Sequence, residues 1–158
     1  MGDMRAYDIT ALLFAFNMTI PGVPVIYYGD EIGMPGGNDP DSRRMMRFNG
    51  LSEEEETLRG IVKELTSLRT NNMALLYGGF TTLLAGEQTY AYCRTYFDEI
   101  VVVVMNKGSE EADISFELPE RFAGISPVNN FGHPAAVEGN IFSLSLPPLS
   151  FDIYTAKR

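Results

Sequence analysis

Disulfide chemistry and histidine chemistry both have little to work with here, since the 158 residues include one cysteine and one histidine. The lone Cys93 excludes an intrachain disulfide framework. It lies in the alternating run "TYAYCRTYF", where it reads as a half-buried strand position rather than a reactive thiol. His133, in "FGHP", has no Ser, Cys or carboxylate at an informative spacing and reads as a turn residue. Basic residues are also scarce: 12 Lys and Arg stand against 21 Asp and Glu, for a net charge of −9. That balance repels phosphate backbones and argues against a nucleic-acid partner. The one basic cluster, Arg43, Arg44 and Arg47, sits among Asp30, Asp39 and Asp41, which predicts local ion pairs or contacts to a neutral ligand.

Long apolar runs are missing too. Nothing approaches the roughly 18 residues of a membrane span, so no membrane association is expected. The amino terminus carries Asp3 and Asp8 ahead of "ALLFAF", has no basic leader and runs into a Pro. No signal peptide is read there, and a cytoplasmic location is the expectation. No cofactor or metal site is expected. The acidic run Glu53 to Glu56 suits a solvated helix N-terminus better than a metal cluster.

What is present is an ordinary globular composition, 45% hydrophobic and 21% charged, with 10 Phe and 8 Tyr to bury. The length suits one domain or two small ones and falls short of the roughly 250 residues of an enzyme barrel. From Met4 to Met18 apolar residues occupy every face of a helical pattern, predicting a helix buried on more than one side. Pro21 and Gly22 end it. The next run, "VPVIYY" (23–28), is continuously apolar and of strand length, the pattern of a parallel strand covered on both faces. Gly29 stops it, and residues 33–50 are turn-rich. Ser52 and Glu55 then form a capping-box pattern before Leu58, Ile61, Val62, Leu65 and Leu68, predicting an amphipathic helix over 53–70.

From Tyr77 onward the helical period disappears. Short β-rich runs follow one another between turn signals: "FTTLLA", "TYAYCRTYF", "EIVVVVMN", "ADISFEL", "GISPVNN", "NIFSLSL" and "SFDIYTAK". Seven or eight such strands predict a sandwich, with a boundary near residues 72–78, and the sandwich from about residue 75 is expected to fold by itself. The first part, helix, parallel-type strand, loop and helix, is α/β in character and leaves its strand without parallel neighbours. An apolar strand with open edges predicts self-association through residues 4–34.

The stretch "PGVPVIYYGDEIGM" followed by "NDPDSRRMMRF" resembles the end of the catalytic barrel in the alpha-amylase family of glycoside hydrolases, particularly its neopullulanase, cyclomaltodextrinase and oligo-glucosidase branch. "ELTSLRTNNMALLYGG" is similar to that family's link from the last barrel helix to the following β-domain. The resemblance implies an α/β fragment, the last βα unit of a TIM barrel with its preceding helix (1–74), followed by an all-β antiparallel Greek-key sandwich (75–158). Three positions depart from the pattern: Met45 stands at a Pro position, Arg47 follows Met46, and Phe48 replaces a Trp.

The same resemblance implies a parent enzyme that hydrolyses or transfers α-glucosidic bonds of starch-like oligosaccharides by the retaining mechanism. The motifs bearing that family's catalytic carboxylates do not occur in this chain, so no catalytic residue is assigned and the chain alone is expected to be inactive. Asp30 and Glu31 are adjacent, and successive strand side chains point to opposite faces, so they do not converge on one bond. Gly29 and Glu31 are expected to be structural at the strand end, with a direct role for Glu31 as the other reading. Asp39 and Arg43 are the substrate-binding candidates, implied to contact glucose units on the non-reducing side of the cleavage point. The alternative is that they pair with each other and shape the loop. Two further readings stand beside the enzyme. One is a freestanding carbohydrate-binding or assembly module using Tyr90, Tyr92 and Tyr96, which share one parity, as a stacking platform. In the other, a separate amino-terminal chain completes the barrel.

Overall fold

The computed structural model describes residues 4–158, so the leader reading at Asp3 lies outside the described residues. Helix α1 runs Met4–Thr19, α2 Glu53–Asn71 and α3 Met73–Tyr77. Eight strands follow: β1 Gly79–Ala85, β2 Thr89–Tyr96, β3 Glu99–Asn106, β4 Ala112–Glu117, β5 Val128–Asn129, β6 Ala135–Glu138, β7 Ile141–Leu146 and β8 Ser150–Lys157. They form two antiparallel sheets, ordered β1-β2-β3-β8-β5 and β4-β7-β6.

The capping box is formed as the sequence predicts. The Ser52 hydroxyl accepts from the Glu55 N–H at 3.3 Å and the Glu55 carboxylate accepts from the Ser52 N–H at 2.8 Å. These bonds satisfy two of the amide donors left over at a helix start. "GISPVNN" yields only the two-residue strand β5, and "AAVE", which carried no expectation, forms β6.

Strand β3 explains its own unbroken valine run. It lies in the middle of the larger sheet, and both its faces are buried. Val101, Val103 and Met105 join one core with Tyr92, Phe151, Ile153 and the inward residues of all three helices. Ile100, Val102 and Val104 join a second core between the sheets, with Phe116, Phe142, Leu144 and Tyr154. Helices therefore cover the outer face of the larger sheet, and one core spans the boundary between the helical part and the sandwich.

Three expectations need correction. The segment 23–28 is not a strand: it belongs to neither sheet, its last residue enters a turn, and Val23 is 90% exposed. A strand exists only through hydrogen bonds to a neighbour, and no described element lies alongside to supply them. Pro24 also lacks a donor. Helix α1 buries Ala11, Leu12, Phe14, Ala15 and Met18, yet its opposite side leaves Ile9, Leu13 and Phe16 exposed. The tyrosine stripe is likewise no open platform. Tyr92 is fully buried beneath Phe16 and Phe80, because this face of β2 receives the helices.

Candidate functional site

The loop between segment 23–28 and α2 is built from two tight turns. Gly29, at φ 93°, starts a 3₁₀ turn over Asp30–Ile32, and Gly33 closes it at φ 63°. Glycine, with no Cβ, adopts such angles without strain. The Glu31 carboxylate accepts from the Gly29 N–H at 2.7 Å, the Met34 N–H reaches the Gly29 carbonyl at 2.9 Å, and Ile32 is fully buried below. Glu31 thus closes its own turn. Gly33 has a second reason to be glycine, since a Cβ there would lie 2.7 Å from the Tyr7 ring.

The second turn spans Asp41–Arg43. The Arg43 guanidinium donates through Nε, at 2.7 Å, and through Nη2 to a single oxygen, Oδ1 of Asp39. Arg44 donates to Asp41 Oδ1 at 2.7 Å, and the other Asp41 oxygen accepts from the Gly37 N–H at 3.0 Å. Arg44 first, and then the Gly37 N–H, hold the Asp41 carboxyl below its ordinary range. The Tyr28 hydroxyl donates to the Arg44 carbonyl, tying the end of segment 23–28 to this turn. Arg47 pairs with the buried Glu55 carboxylate at the start of α2.

Asp39 and Arg43 come together as a pair with about two-thirds of each side chain open to solvent, 66% and 65%. Asp39 Oδ2 has no hydrogen-bond partner among the described residues, and the pair projects from the loop rather than into the core. A cleft of about 530 Å³ lies beside them, lined by Tyr7, Met34, Arg44, Met45, Arg47 and Glu55 among others. Neither Asp39 nor Arg43 lines it. Among the described residues no group of three or more His, Cys, Asp or Glu is placed to hold a metal ion, and no helix is long and apolar enough to cross a membrane. Cys93 is buried between the sheets, and burial pushes its thiol up to about 11.

Sequence reasoning missed two arginines that fix this loop's starting point. Arg69 on α2 donates to the carbonyls of Met18, Ile20 and Gly22, and Arg94 on β2 to those of Thr19 and Gly78. A signal was available. Arg69 continues the Leu58, Val62, Leu65 face of its helix, and Arg94 shares parity with Tyr90, Tyr92 and Tyr96. A charge at an apolar position of the pattern marks a buried hydrogen-bonding duty.

With this geometry in place, comparison with known proteins decides the family. Residues 80–153 match the profile of the maltogenic amylase C-terminal domain. The chain carries an alpha-amylase-family C-terminal domain. It is 37% identical over 99% of its length to a cyclomaltodextrinase of Geobacillus thermopakistaniensis, of which it covers 26%. It is 42% identical to neopullulanase 2 of Thermoactinomyces vulgaris over 69% of this chain and 19% of that protein. Among solved structures, an acarbose complex of the alpha-amylase from Geobacillus thermoleovorans superposes with a TM-score of 0.83 at 26% identity. That match covers 98% of this chain and 34% of the other. The chain thus spans about a quarter or less of the length of these two curated relatives.

Proposed function

We infer that residues 1–74 are the closing unit of a (β/α)₈ barrel and residues 75–158 its C-terminal sandwich domain. Together they form part of a retaining glycoside hydrolase acting on α-glucosidic bonds of starch-like oligosaccharides. The observation that carries this reading is the 37% identity to a cyclomaltodextrinase over 99% of the chain, which takes in both long helices and the loop between them as well as the sandwich. The apolar segment 23–28 would become a barrel strand once parallel neighbours supply its hydrogen bonds.

In this reading the Asp39–Arg43 pair stands on a loop after a barrel strand, the edge from which such barrels build their sites. A carboxylate held by a guanidinium, with one oxygen open, can accept from one sugar hydroxyl while the guanidinium donates to another. Gly29 and Glu31 shape the turn that carries the pair. The reaction itself needs two carboxyls about 5–5.5 Å apart across the scissile bond. No such pair is assigned here, because Glu31 is engaged by Gly29 and the Asp39 carboxylate by Arg43.

Two measurements test the reading. The 158-residue chain should show no turnover of maltooligosaccharides or chromogenic glucosides; turnover that disappears on Asp30→Asn or Glu31→Gln would overturn it. Exchanged for the matching region of the Geobacillus cyclomaltodextrinase, the chain should support hydrolysis. In that chimera Arg43→Gln should lower kcat/KM about tenfold to a hundredfold, the loss of one or two charge-assisted hydrogen bonds. Alone, the chain should self-associate through residues 4–34, where Leu13, Val23, Val25 and Tyr27 lie exposed. Light scattering after size exclusion checks this, and Ile26→Lys should dissolve the oligomer.

A further inference from the structure

The sheet face that receives the helices is not covered to its end. Tyr96, Glu99 and Lys157 form one cross-strand row on that face, Tyr96 opposite Glu99 and Glu99 opposite Lys157. Helix α1 stops before reaching it, for its last residue, Thr19, meets Tyr92 and Arg94 further along β2. Beside the row stands Tyr77, at the end of α3, with its ring 6.2 Å from that of Tyr96. Phe97 follows at the hairpin turn, 4.6 Å from Tyr96 and nearly perpendicular to it at 85°. Phe97 is 78% exposed and Tyr77 69%.

Phe97 occupies its turn against its own preference. Its φ of 46° lies in the left-handed region, where Gly, Asn or Asp fits and a bulky side chain is strained. The exposed ring gains no burial in return, so stability does not account for it, and strain of this kind points to a surface duty. The polar groups beside the rings are unevenly satisfied. Lys157 Nζ lies 3.3 Å from Glu99 Oε1 and 3.7 Å from Asp98 Oδ2, and the side chains of Lys157 and Asp98 stay open to solvent, whereas Glu99 Oε2 is buried beneath the row with no hydrogen-bond partner among the described residues.

Two aromatic faces set at an angle, rimmed by the exposed Asp98 carboxylate and the Lys157 ammonium, fit a particular chemistry. Pyranose rings present apolar C–H faces for stacking and hydroxyls that both donate and accept. An apolar protein surface fits poorly, since it would strip water from Asp98, Glu99 and Lys157 without replacing it. A nucleic acid is repelled by the two carboxylates and by the net charge of −9.

We propose that Tyr77, Tyr96 and Phe97, with Asp98 and Lys157 at their rim, form a carbohydrate-binding site on the sandwich, occupied by a short α-glucan and separate from the Asp39–Arg43 loop. The choice of α-glucan rests on the reading under Proposed function; the site itself rests on the rings and their polar rim. Separation follows from the fold. The loop reaches α1 at Tyr7 and the aromatic corner lies past Thr19, about 18 Å apart along the helix at 1.5 Å per residue.

Titrating the isotope-labelled chain with maltoheptaose, followed by amide NMR, tests the proposal. Saturable shifts should centre on residues 96–99. Phe97→Gly should weaken binding roughly tenfold or more while the melting temperature holds or rises, because glycine accepts the turn. Tyr77→Ala should weaken binding at residues 96–99 similarly. The proposal is overturned by undiminished binding in Phe97→Gly, by an absence of saturable shifts at millimolar sugar, or by shifts at residues 96–99 that follow protein rather than sugar concentration, which would mark a second copy of the chain seated there. Saturation by cellohexaose with none by maltoheptaose would uphold the site and overturn the α-glucan assignment alone.

Discussion

Arg94, on the second strand of the sandwich, donates a 2.8 Å hydrogen bond to the carbonyl of Thr19, the last residue of α1. Arg69, from α2, takes the neighbouring carbonyls of Met18 and Ile20. A helix ends with four carbonyls lacking intrahelical partners and with the negative end of its dipole, and two guanidiniums satisfy both. Three elements distant in sequence are joined at one helix end. Desolvation by burial lowers both guanidiniums from their ordinary values.

Removing either arginine should therefore cost more than an exposed charge would. Arg94→Met should destabilise the chain by about 2–3 kcal/mol, the penalty for stranding buried carbonyls that had charged donors. Arg69→Lys should recover only part of its loss, because an ammonium cannot span carbonyls from Met18 to Gly22 as the planar fork does. Urea unfolding followed by circular dichroism measures both, and a loss below about 0.5 kcal/mol for Arg94→Met would contradict the account.

The covered sheet face revises the expectation that residues from about 75 onward fold unaided. Truncation at residue 75 removes the partners of Tyr92, Val101, Val103, Met105, Phe151 and Ile153, all buried in the core shared with the helices. The second core, between the sheets, is untouched. The truncated chain should keep β-rich circular dichroism but bind a hydrophobic dye and melt well below the full chain. A truncated chain as stable as the full one, with no dye binding, would show that the helices contribute little.

Asp152 gives a pH prediction of unusual sign. Its carboxylate is fully buried at the edge of the inter-sheet core and accepts from the N–H groups of Phe131, His133 and Ile153. Burial raises its pKa, and those bonds oppose the rise without cancelling it. A carboxyl raised on folding binds its proton more tightly in the folded state. Its contribution is thus present below the unfolded value of about 3.9 and is lost as pH rises through the folded value. Asp152→Asn replaces one acceptor oxygen by an amide and should cost about 1–3 kcal/mol. The gap between wild type and Asp152→Asn should be widest in acid and narrow toward neutrality. Melting curves from pH 4 to 7 check this, and a gap that widens with pH would overturn it.

Much of the fold was legible in local sequence because its causes are local. The capping box at Ser52 and Glu55 needs only residues three apart. The strand runs of the sandwich announce themselves because turns at Gly86, Asp98 and Gly139 bound them. The loop motif from Gly29 to Arg44 likewise indicated which residues to inspect, and its glycines sit where positive φ is required.

What sequence alone determined was therefore element type, the capping and turn chemistry, and the family to which this pattern of residues belongs. Only tertiary structure decided which apolar faces are covered. "VPVIYY" has the composition of a buried strand, but a strand's hydrogen bonds are made with a neighbour, and composition carries no record of whether that neighbour is present. Tyr92 and Phe97 lie five residues apart in the same apolar run, yet one is fully buried and the other largely exposed. The difference is where α1 ends above the sheet, set by Arg69 and Arg94 through carbonyls up to 75 residues away in sequence.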